Sequence, residues 1–310
     1  DHSHFNSFIQ EEDVARIASW GMDHIRLPVD YPVLEKSLPD DQYKVTGFDY
    51  LDRCLSWCQN QELDLLIDLH KAPGYAFGQW EKASFFSDPK TRQRFLQIWS
   101  GLAEHYRGIK NIGFELLNEI RLPDPIPWNQ LIRETIAVIQ EIDPDRPIMI
   151  GGNNYNSPDQ LQYLDVYEDE RILYTCHYYF PMVVTHQRAY WVPPLEHISQ
   201  DVNYPGPYPE IDSFGEELIG KPMDRDLLKE FLQPALDFME TTGKWIYCGE
   251  FGVIDQAPMD ARVNWTRDMV SLFTEYNIGW ALWTYKAMDF GLVDLDGELV
   301  SKKLLNTIRK

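Results

Sequence analysis

LDLLIDLH, at residues 63–70, is a short apolar run that ends in an imidazole, and it is one of seven such runs that decide the fold. Runs of this length, bounded by polar and turn residues, are typical of strands that are buried on both faces of a parallel sheet. The other six are DHIRLP (23–28), NIGFELLNE (111–119), RPIMIGGN (146–153), RILYTCHYY (171–179), KWIYCGEFG (244–252) and GWALWTY (279–285).

Amphipathic stretches separate these runs. Their apolar residues recur at helical spacing, and they cover residues 11–20, 47–60, 89–106, 127–142, 158–166, 225–242, 260–276 and a last stretch from about 301. Alternation of strands and helices from end to end predicts an α/β protein, specifically a (β/α)8 TIM barrel. Eight helices accompany only seven strands and a helix comes first, so we expect a further first strand upstream of Asp1, missing from this sequence.

One connection does not follow this alternation of strands and helices. Residues 180–224 contain no strand or long helix pattern and are rich in proline and aromatic residues. Structureless connections of this length in a compact domain are usually functional. We therefore expect one catalytic barrel domain over 1–310, with 180–224 as a lid or small subdomain inserted after the sixth strand. An insertion without a function is the alternative.

The charge balance limits the classes of partner. The 28 Lys and Arg residues against 49 Asp and Glu residues give a net charge of −21. Such a surface repels phosphates, so the sequence predicts neither a nucleic acid nor a membrane as partner and favours a neutral ligand. No run approaches the roughly 18 apolar residues of a membrane span. No signal peptide is visible at the start of the sequence.

Polar or aromatic side chains end six of the seven predicted strands. The carboxyl ends of barrel strands converge at one face, where the active sites of such barrels lie. The sequence therefore predicts a shared polar cavity lined by Arg26, His70, Asn118, Glu119, His177, Tyr179, Glu250 and Trp283.

Two of these groups are carboxylates. Paired carboxylates suit glycoside hydrolysis, in which one acid protonates the leaving oxygen and the other acts at the anomeric carbon. With the missing strand counted, Glu119 ends the fourth strand and Glu250 the seventh, so the two could flank a bound sugar. A separation of about 5 to 5.5 Å gives retention, and about 6.5 to 9.5 Å gives inversion.

The strand-end motifs resemble those of glycoside hydrolase family 5, the cellulase family. The motifs that carry the resemblance, in chain order, are HIRLP, DLH, FELLNE, CHYY, YCGEFG and ALWTYK. Further segments of the sequence are similar to the clostridial endoglucanase C type within the family, including HFNSF, GGNNYNSPDQL and THQRAYW. The match covers essentially the whole chain from His4.

The resemblance implies a role for each residue. Glu119 would be the general acid/base and Glu250 the nucleophile, and Arg26 and Tyr179 would stabilise the Glu250 anion. Asn118 would bind the sugar 2-hydroxyl. His70 and His177 would orient these groups, and Trp283 would stack under the cleaved ring. Further loop residues that suit sugar faces and hydroxyls are Tyr75, Trp80, Asn153, Asn154 and Trp191. Packing or stabilisation of the loop is the alternative role for each of them.

The expected function is retaining, endo-acting cleavage of β-1,4 bonds in cellulose or mixed-linkage β-glucan. We expect no cofactor and no metal, a monomer, and a secreted protein. Mannanase, xyloglucanase or exo-β-1,3-glucanase specificity with the same mechanism is an alternative. A metal-dependent hydrolase is another, since His2 and His4 form an H-x-H motif and His70 and His177 add two imidazoles. A barrel that binds glycans without catalysis is the third.

Overall fold

The computed structural model describes residues 2–35, 45–76, 86 and 88–309. The chain divides into two compact units, Asp1–Thr175 (with Lys310) and Cys176–Arg309. Strands and helices alternate in both.

The first unit carries five parallel strands that pair in chain order. They are β1 (His24–Asp30), β2 (Asp64–Lys71), β3 (Ile112–Glu115), β4 (Ile148–Gly151) and the start of β5 (Ile172–Tyr178). The register places His24 beside Asp64, Leu65 beside Ile112, Phe114 beside Ile148, and Ile148 beside Ile172. Because all strands run the same way, their carboxyl ends lie at the same edge.

The helices of the first unit connect these strands. They are α1 (His2–Ser7), α2 (Glu11–Ser19), α3 (Tyr31–Glu35), α4 (Val45–Asn60), α5 (Pro89–His105), α6 (Ile126–Ile142) and α7 (Asn153–Asn156). The start of α5 follows from its sequence, because Pro89 occupies the first turn and the Asp88 side chain accepts a hydrogen bond from the Lys90 amide.

The second unit contains the end of β5 and two longer strands, β8 (Ile246–Phe251) and β9 (Gly279–Leu282), which pair in parallel. All six residues of β8 are buried, as expected of a strand covered on both faces. Its helices are α8 (Met182–Thr185), α9 (Pro193–Glu196), α10 (Arg225–Thr242), α11 (Met259–Glu275) and α12 (Lys302–Ile308). Asp224 caps the start of α10, and Gly243, at φ 68°, ends it.

The segment 180–224 holds only short elements. It contains α8, α9, one 3-10 turn (Glu216–Leu218) and a two-residue antiparallel ribbon of β6 (Gly206–Pro207) and β7 (Pro222–Met223). The segment is tied to the rest of its unit, since the Tyr204 hydroxyl donates to Asp268 at 2.7 Å. The expectations of a lid over 180–224, of one domain over 1–310 and of a further strand before Asp1 stay predictions.

All seven predicted strands are present, but several are shorter than predicted, including β4 (Ile148–Gly151, predicted over 146–153) and β9 (Gly279–Leu282, predicted over 279–285). Strand β3 ends at Glu115 rather than 119, because the chain from Leu116 onward leaves the regular ladder while its amides still bond to neighbouring strands, as in Asn118 N to Leu69 O at 3.1 Å. The predicted helix over 158–166 is a 3-10 helix, Pro158–Tyr163. Across the described parts of the chain, every helix falls short of the length and apolarity that crossing a membrane requires.

Candidate active site

Arg26 is the centre of a buried ionic network in the first unit. Its Nε donates to Glu115 Oε2 at 2.7 Å and its Nη2 to Glu115 Oε1 at 2.9 Å, and the same Nη2 lies 3.0 Å from Asp68 Oδ2. Both carboxylates are fully buried. Buried charges require such pairing, because an unpaired ion loses its hydration without compensation. The predicted support of Glu250 by Arg26 stays a prediction.

A chain of hydrogen bonds continues from this network to His70 and Asn118. His70 Nδ1 donates to Asp68 Oδ2 at 2.6 Å, which leaves Nε2 as the acceptor that faces the Asn118 amide nitrogen at 3.3 Å. Arg26 Nη2 donates to Asn118 Oδ1 at 3.0 Å. The network therefore determines both the tautomer of the imidazole and the orientation of the amide.

Glu119 follows Asn118 directly and is half-buried. Its carbonyl oxygen accepts a hydrogen bond from the Tyr75 hydroxyl at 2.9 Å, and that hydroxyl accepts one from the Arg121 amide at 2.7 Å. Burial raises the pKa of the Tyr75 phenol well above its ordinary value, so the hydroxyl stays protonated. At 3% exposure the Tyr75 ring faces protein rather than solvent, and its role in this structure is to hold the backbone of Glu119.

The other residues predicted to contact sugar in this unit differ in exposure. Asn153 is buried, and its amide group exchanges two hydrogen bonds with the Leu122 backbone, at 2.7 and 2.8 Å, so it holds a loop in place. Asn154 is exposed and has a φ of 46°. Trp80 lies outside the described residues.

Glu250 lies on β8 of the second unit and is 5% exposed. The Tyr179 hydroxyl donates to Glu250 Oε2 at 2.9 Å, and His177 Nδ1 lies 3.7 Å from the same oxygen. His177 is the penultimate residue of β5, and Tyr179 directly follows that strand. The structure thus brings His177 and Tyr179, two residues that the sequence predicted in the same cavity, together beside Glu250.

Trp283 directly follows β9 and is half-buried. Its amide donates to Phe251 O at 2.9 Å, and the Trp283–Thr284 peptide bond is cis. The backbone approaches Gly252 so closely that a Cβ atom there would lie 2.3 Å from Trp283 O. Glycine at 252 is therefore needed for this placement, while the stacking role of Trp283 stays a prediction.

Trp191 lies in the segment 180–224 and is half-buried. Its ring packs against His186 and Phe290, with centroids 6.0 and 6.4 Å apart. Both of these rings also contact Tyr179, at 5.0 and 5.9 Å. Trp191 thus belongs to an aromatic cluster around the residue that binds Glu250.

The alternative metal site depends on His2 and His4. The side chain of His2 lies outside the described part of the structure. The His4 ring, in α1, stacks on the ring of Phe8, the residue directly after that helix, with centroids 4.6 Å apart.

The family model described as "Cellulase (glycosyl hydrolase family 5)" matches residues 1–289. The chain belongs to this family. As a member of the family 5 cellulases it is a glycoside hydrolase. The chain is 43% identical to Endoglucanase C of Acetivibrio thermocellus, over 99% of this chain and 92% of that protein. It is 31% identical to Cellodextrinase A of Ruminococcus flavefaciens, over 88% of this chain and 77% of that protein.

Solved structures of the family confirm the fold class. Cel5A of Thermotoga maritima, in complex with cellobiose, superposes with a TM-score of 0.80 at 25% identity, covering 97% of this chain and 90% of that one. A second structure, described as endoglucanase Cel5A of the same organism, gives a TM-score of 0.80 at 26% identity, covering 96% and 89%. The family 5 chain thus has the predicted (β/α)8 fold.

Sequence reasoning missed two acids of this site, Asp68 and Glu115. Each is a carboxylate inside an apolar strand, and this position was the signal that it is buried and pairs with a cation, which the structure shows to be Arg26.

Proposed function

We propose that this family 5 glycoside hydrolase is an endo-acting β-1,4-glucanase that cleaves cellulose or mixed-linkage β-glucan with retention. The observation that carries the proposal is the 43% identity to Endoglucanase C over 99% of the chain. The strand-end groups supply what this chemistry needs, namely two carboxyl groups and donors that support one of them as an anion.

In the proposed mechanism Glu250 attacks the anomeric carbon and forms a covalent glycosyl-enzyme, while Glu119 protonates the leaving oxygen. Water then hydrolyses the intermediate with Glu119 acting as the base. The Tyr179 hydroxyl, 2.9 Å from Glu250 Oε2, supports the anionic nucleophile. Asn118, oriented by Arg26 and His70, would bind the sugar 2-hydroxyl.

The proposed substrate is a neutral glucan, in keeping with a net charge of −21. A mannan is the second candidate, because the Thermotoga maritima Cel5A that this chain resembles at 25% identity is described in complex with mannotriose as well as with cellobiose. A polymeric substrate also favours a secreted protein, and a secreted monomer remains part of the proposal.

The test is reducing-sugar release from soluble cellulose, mixed-linkage β-glucan and mannan, with and without EDTA. We expect glucan activity that survives EDTA and falls by several powers of ten in both Glu250→Gln and Glu119→Gln. Glu119→Gln should lose much less activity on an aryl cellobioside whose leaving group needs no proton. Activity that is lost with EDTA, or kept in Glu250→Gln, would overturn the proposal and favour the metal-dependent alternative.

A further inference from the structure

We propose that Thr185 and His186 are positioning residues for the nucleophile, acting on Glu250 through Tyr179. This inference rests on the proposed function, because it assigns the two residues a part in the same reaction. Both lie in the segment 180–224, at the end of α8 and just after it, and both are buried. Both lie within the THQRAYW segment that is similar to the clostridial endoglucanase C type, but neither is one of the strand-end groups.

Thr185 joins two segments that end at the site. Its hydroxyl lies 2.5 Å from Tyr179 O and its carbonyl accepts a hydrogen bond from Ile254 N at 3.0 Å. Tyr179 directly follows β5, and Ile254 lies in the loop that follows β8, the strand of Glu250. One fully buried residue therefore holds the backbone on both sides of the hydrogen bond from Tyr179 to Glu250.

The hydrogen bonds of Thr185 determine the tautomer of His186. A carbonyl oxygen can only accept, so the single hydroxyl proton of Thr185 must go to Tyr179 O. The Thr185 oxygen also lies 3.0 Å from His186 Nδ1, and this nitrogen must then be the donor. His186 is thus present with its proton on Nδ1, and it completes the hydrogen bonding of the threonine.

The His186 ring also supports the side chain of Tyr179. It packs edge to face on the tyrosine ring, with centroids 5.0 Å apart, and on Phe290 at 5.4 Å. Phe290 contacts Tyr179 at 5.9 Å. These contacts restrict the rotation of the phenol, so the hydroxyl is held where it donates to Glu250. A Tyr179 ring that rotates freely would weaken the hydrogen bond from its hydroxyl to Glu250. That bond matters most when the Glu250 carboxylate is the reacting group.

The experiment compares hydroxyl and imidazole variants on soluble cellulose. Thr185→Val keeps the shape and removes the hydroxyl, and Thr185→Ser keeps it. His186→Leu removes the Nδ1 donor, and His186→Asn places an amide nitrogen near that position. We expect kcat to fall about tenfold in Thr185→Val and His186→Leu with little change in KM, and to recover in Thr185→Ser. His186→Asn should recover only part of the loss, because it restores a donor but not the ring that packs on Tyr179. Thr135→Val is the control, because Thr135 is an equally buried threonine whose hydroxyl bonds to a backbone carbonyl, Leu131 O, in α6.

A double variant separates positioning from a general loss of structure. If Thr185 acts through the Tyr179 hydroxyl, adding Thr185→Val to Tyr179→Phe should cause no further loss of kcat. Additive losses, or an unchanged kcat in Thr185→Val, would overturn the inference.

The failure of the proposed function gives a different result. In that case Glu250→Gln would keep its glucan activity, whereas failure of the inference alone leaves Glu250→Gln inactive and Thr185→Val equal to Thr135→Val. Circular dichroism and thermal unfolding of each variant identify any that fails to fold. His186→Asn and Thr185→Ser then supply the comparison on folded protein.

Discussion

Arg26 and Glu115 form a two-point ion pair inside the first unit, with Nε 2.7 Å from Oε2 and Nη2 2.9 Å from Oε1. The pair joins β1 to β3, two strands that do not pair with each other, and Asp68 of the intervening strand β2 binds the same guanidinium at 3.0 Å. The arginine thus connects three successive strands just below the residues predicted to bind sugar.

Loss of this arginine should destabilise the protein strongly. Arg26→Ala leaves Glu115 and Asp68 buried without their cation, and we expect a loss of about 3–5 kcal/mol in the free energy of unfolding. Arg26→Lys should recover only part of it, because an ammonium group cannot reproduce the planar two-point contact. Urea unfolding measures the stability of both variants. Arg92→Ala is the control, because it removes a more exposed ion pair to Glu134 and should lose at most about 1 kcal/mol. Equal stability of Arg26→Ala and Arg92→Ala would contradict this prediction.

The carboxylate of Asp68 should matter for catalysis as well as for stability. Asp68→Asn weakens the acceptor of the His70 Nδ1 proton, so the imidazole no longer reliably presents Nε2 to Asn118. We expect kcat/KM to fall about 10- to 100-fold. Asp143→Asn is the matched control, since Asp143 is a buried partner of Arg146, and we expect it to lower stability with unchanged kinetics. Unchanged kinetics in Asp68→Asn would refute the role of this chain of hydrogen bonds.

A methyl group at residue 252 should displace Trp283. The added Cβ of Gly252→Ala would lie 2.3 Å from Trp283 O, a backbone atom that cannot move aside by rotation. We expect a loss of about 1–3 kcal/mol in the free energy of unfolding and a higher KM for glucans. Gly279→Ala is the comparison, because its Cβ would meet only the Tyr247 ring, at 3.3 Å. Wild-type KM and stability in Gly252→Ala would show that the backbone adjusts freely.

Burial of His186 should make stability depend on pH in the mildly acidic range. Burial lowers the pKa of His186 to about 4 from 6.5, and its described neighbours are the Thr185 hydroxyl and the rings of Tyr179, Trp191 and Phe290. Above pH 6.5 the imidazole is neutral in both the folded and unfolded states, so its contribution to stability is fully present. Between pH 6.5 and 4 only the unfolded chain takes up the proton, and stability falls by about 3 kcal/mol.

Denaturant unfolding at pH 7 and pH 4 measures this effect. The difference in stability between the two pH values should be about 3 kcal/mol smaller in His186→Asn than in the wild type. An equal difference in the two proteins would show that His186 does not titrate with a lowered pKa.

Local sequence patterns were sufficient to predict where each of the seven strands lies, because burial on both faces makes each strand a continuous apolar run. The helical spacing from residue 89 likewise located the start of α5, which begins at Pro89. The end of β3 was not predicted, since Leu116 and Leu117 remain buried after the chain has left the regular ladder.

The supporting groups could not be predicted in the same way, because they act across long stretches of chain. The Tyr75 hydroxyl binds the carbonyl of Glu119, 44 residues away, and Arg26 binds Glu115, 89 residues away. Tyr75 and Asn153 were predicted to contact sugar from their position in strand-end loops. The structure shows both buried and bonded to backbone atoms, a difference that residue type alone cannot reveal.

The retaining mechanism is the central claim, and the anomeric form of the first product tests it most directly. Proton NMR should follow the hydrolysis of a cello-oligosaccharide at enzyme concentrations high enough to outrun mutarotation. Double displacement through Glu250 predicts that the new reducing end appears first as the β-anomer and only later equilibrates. Initial appearance of the α-anomer would contradict the account, because it would require direct attack by water in place of a glycosyl-enzyme.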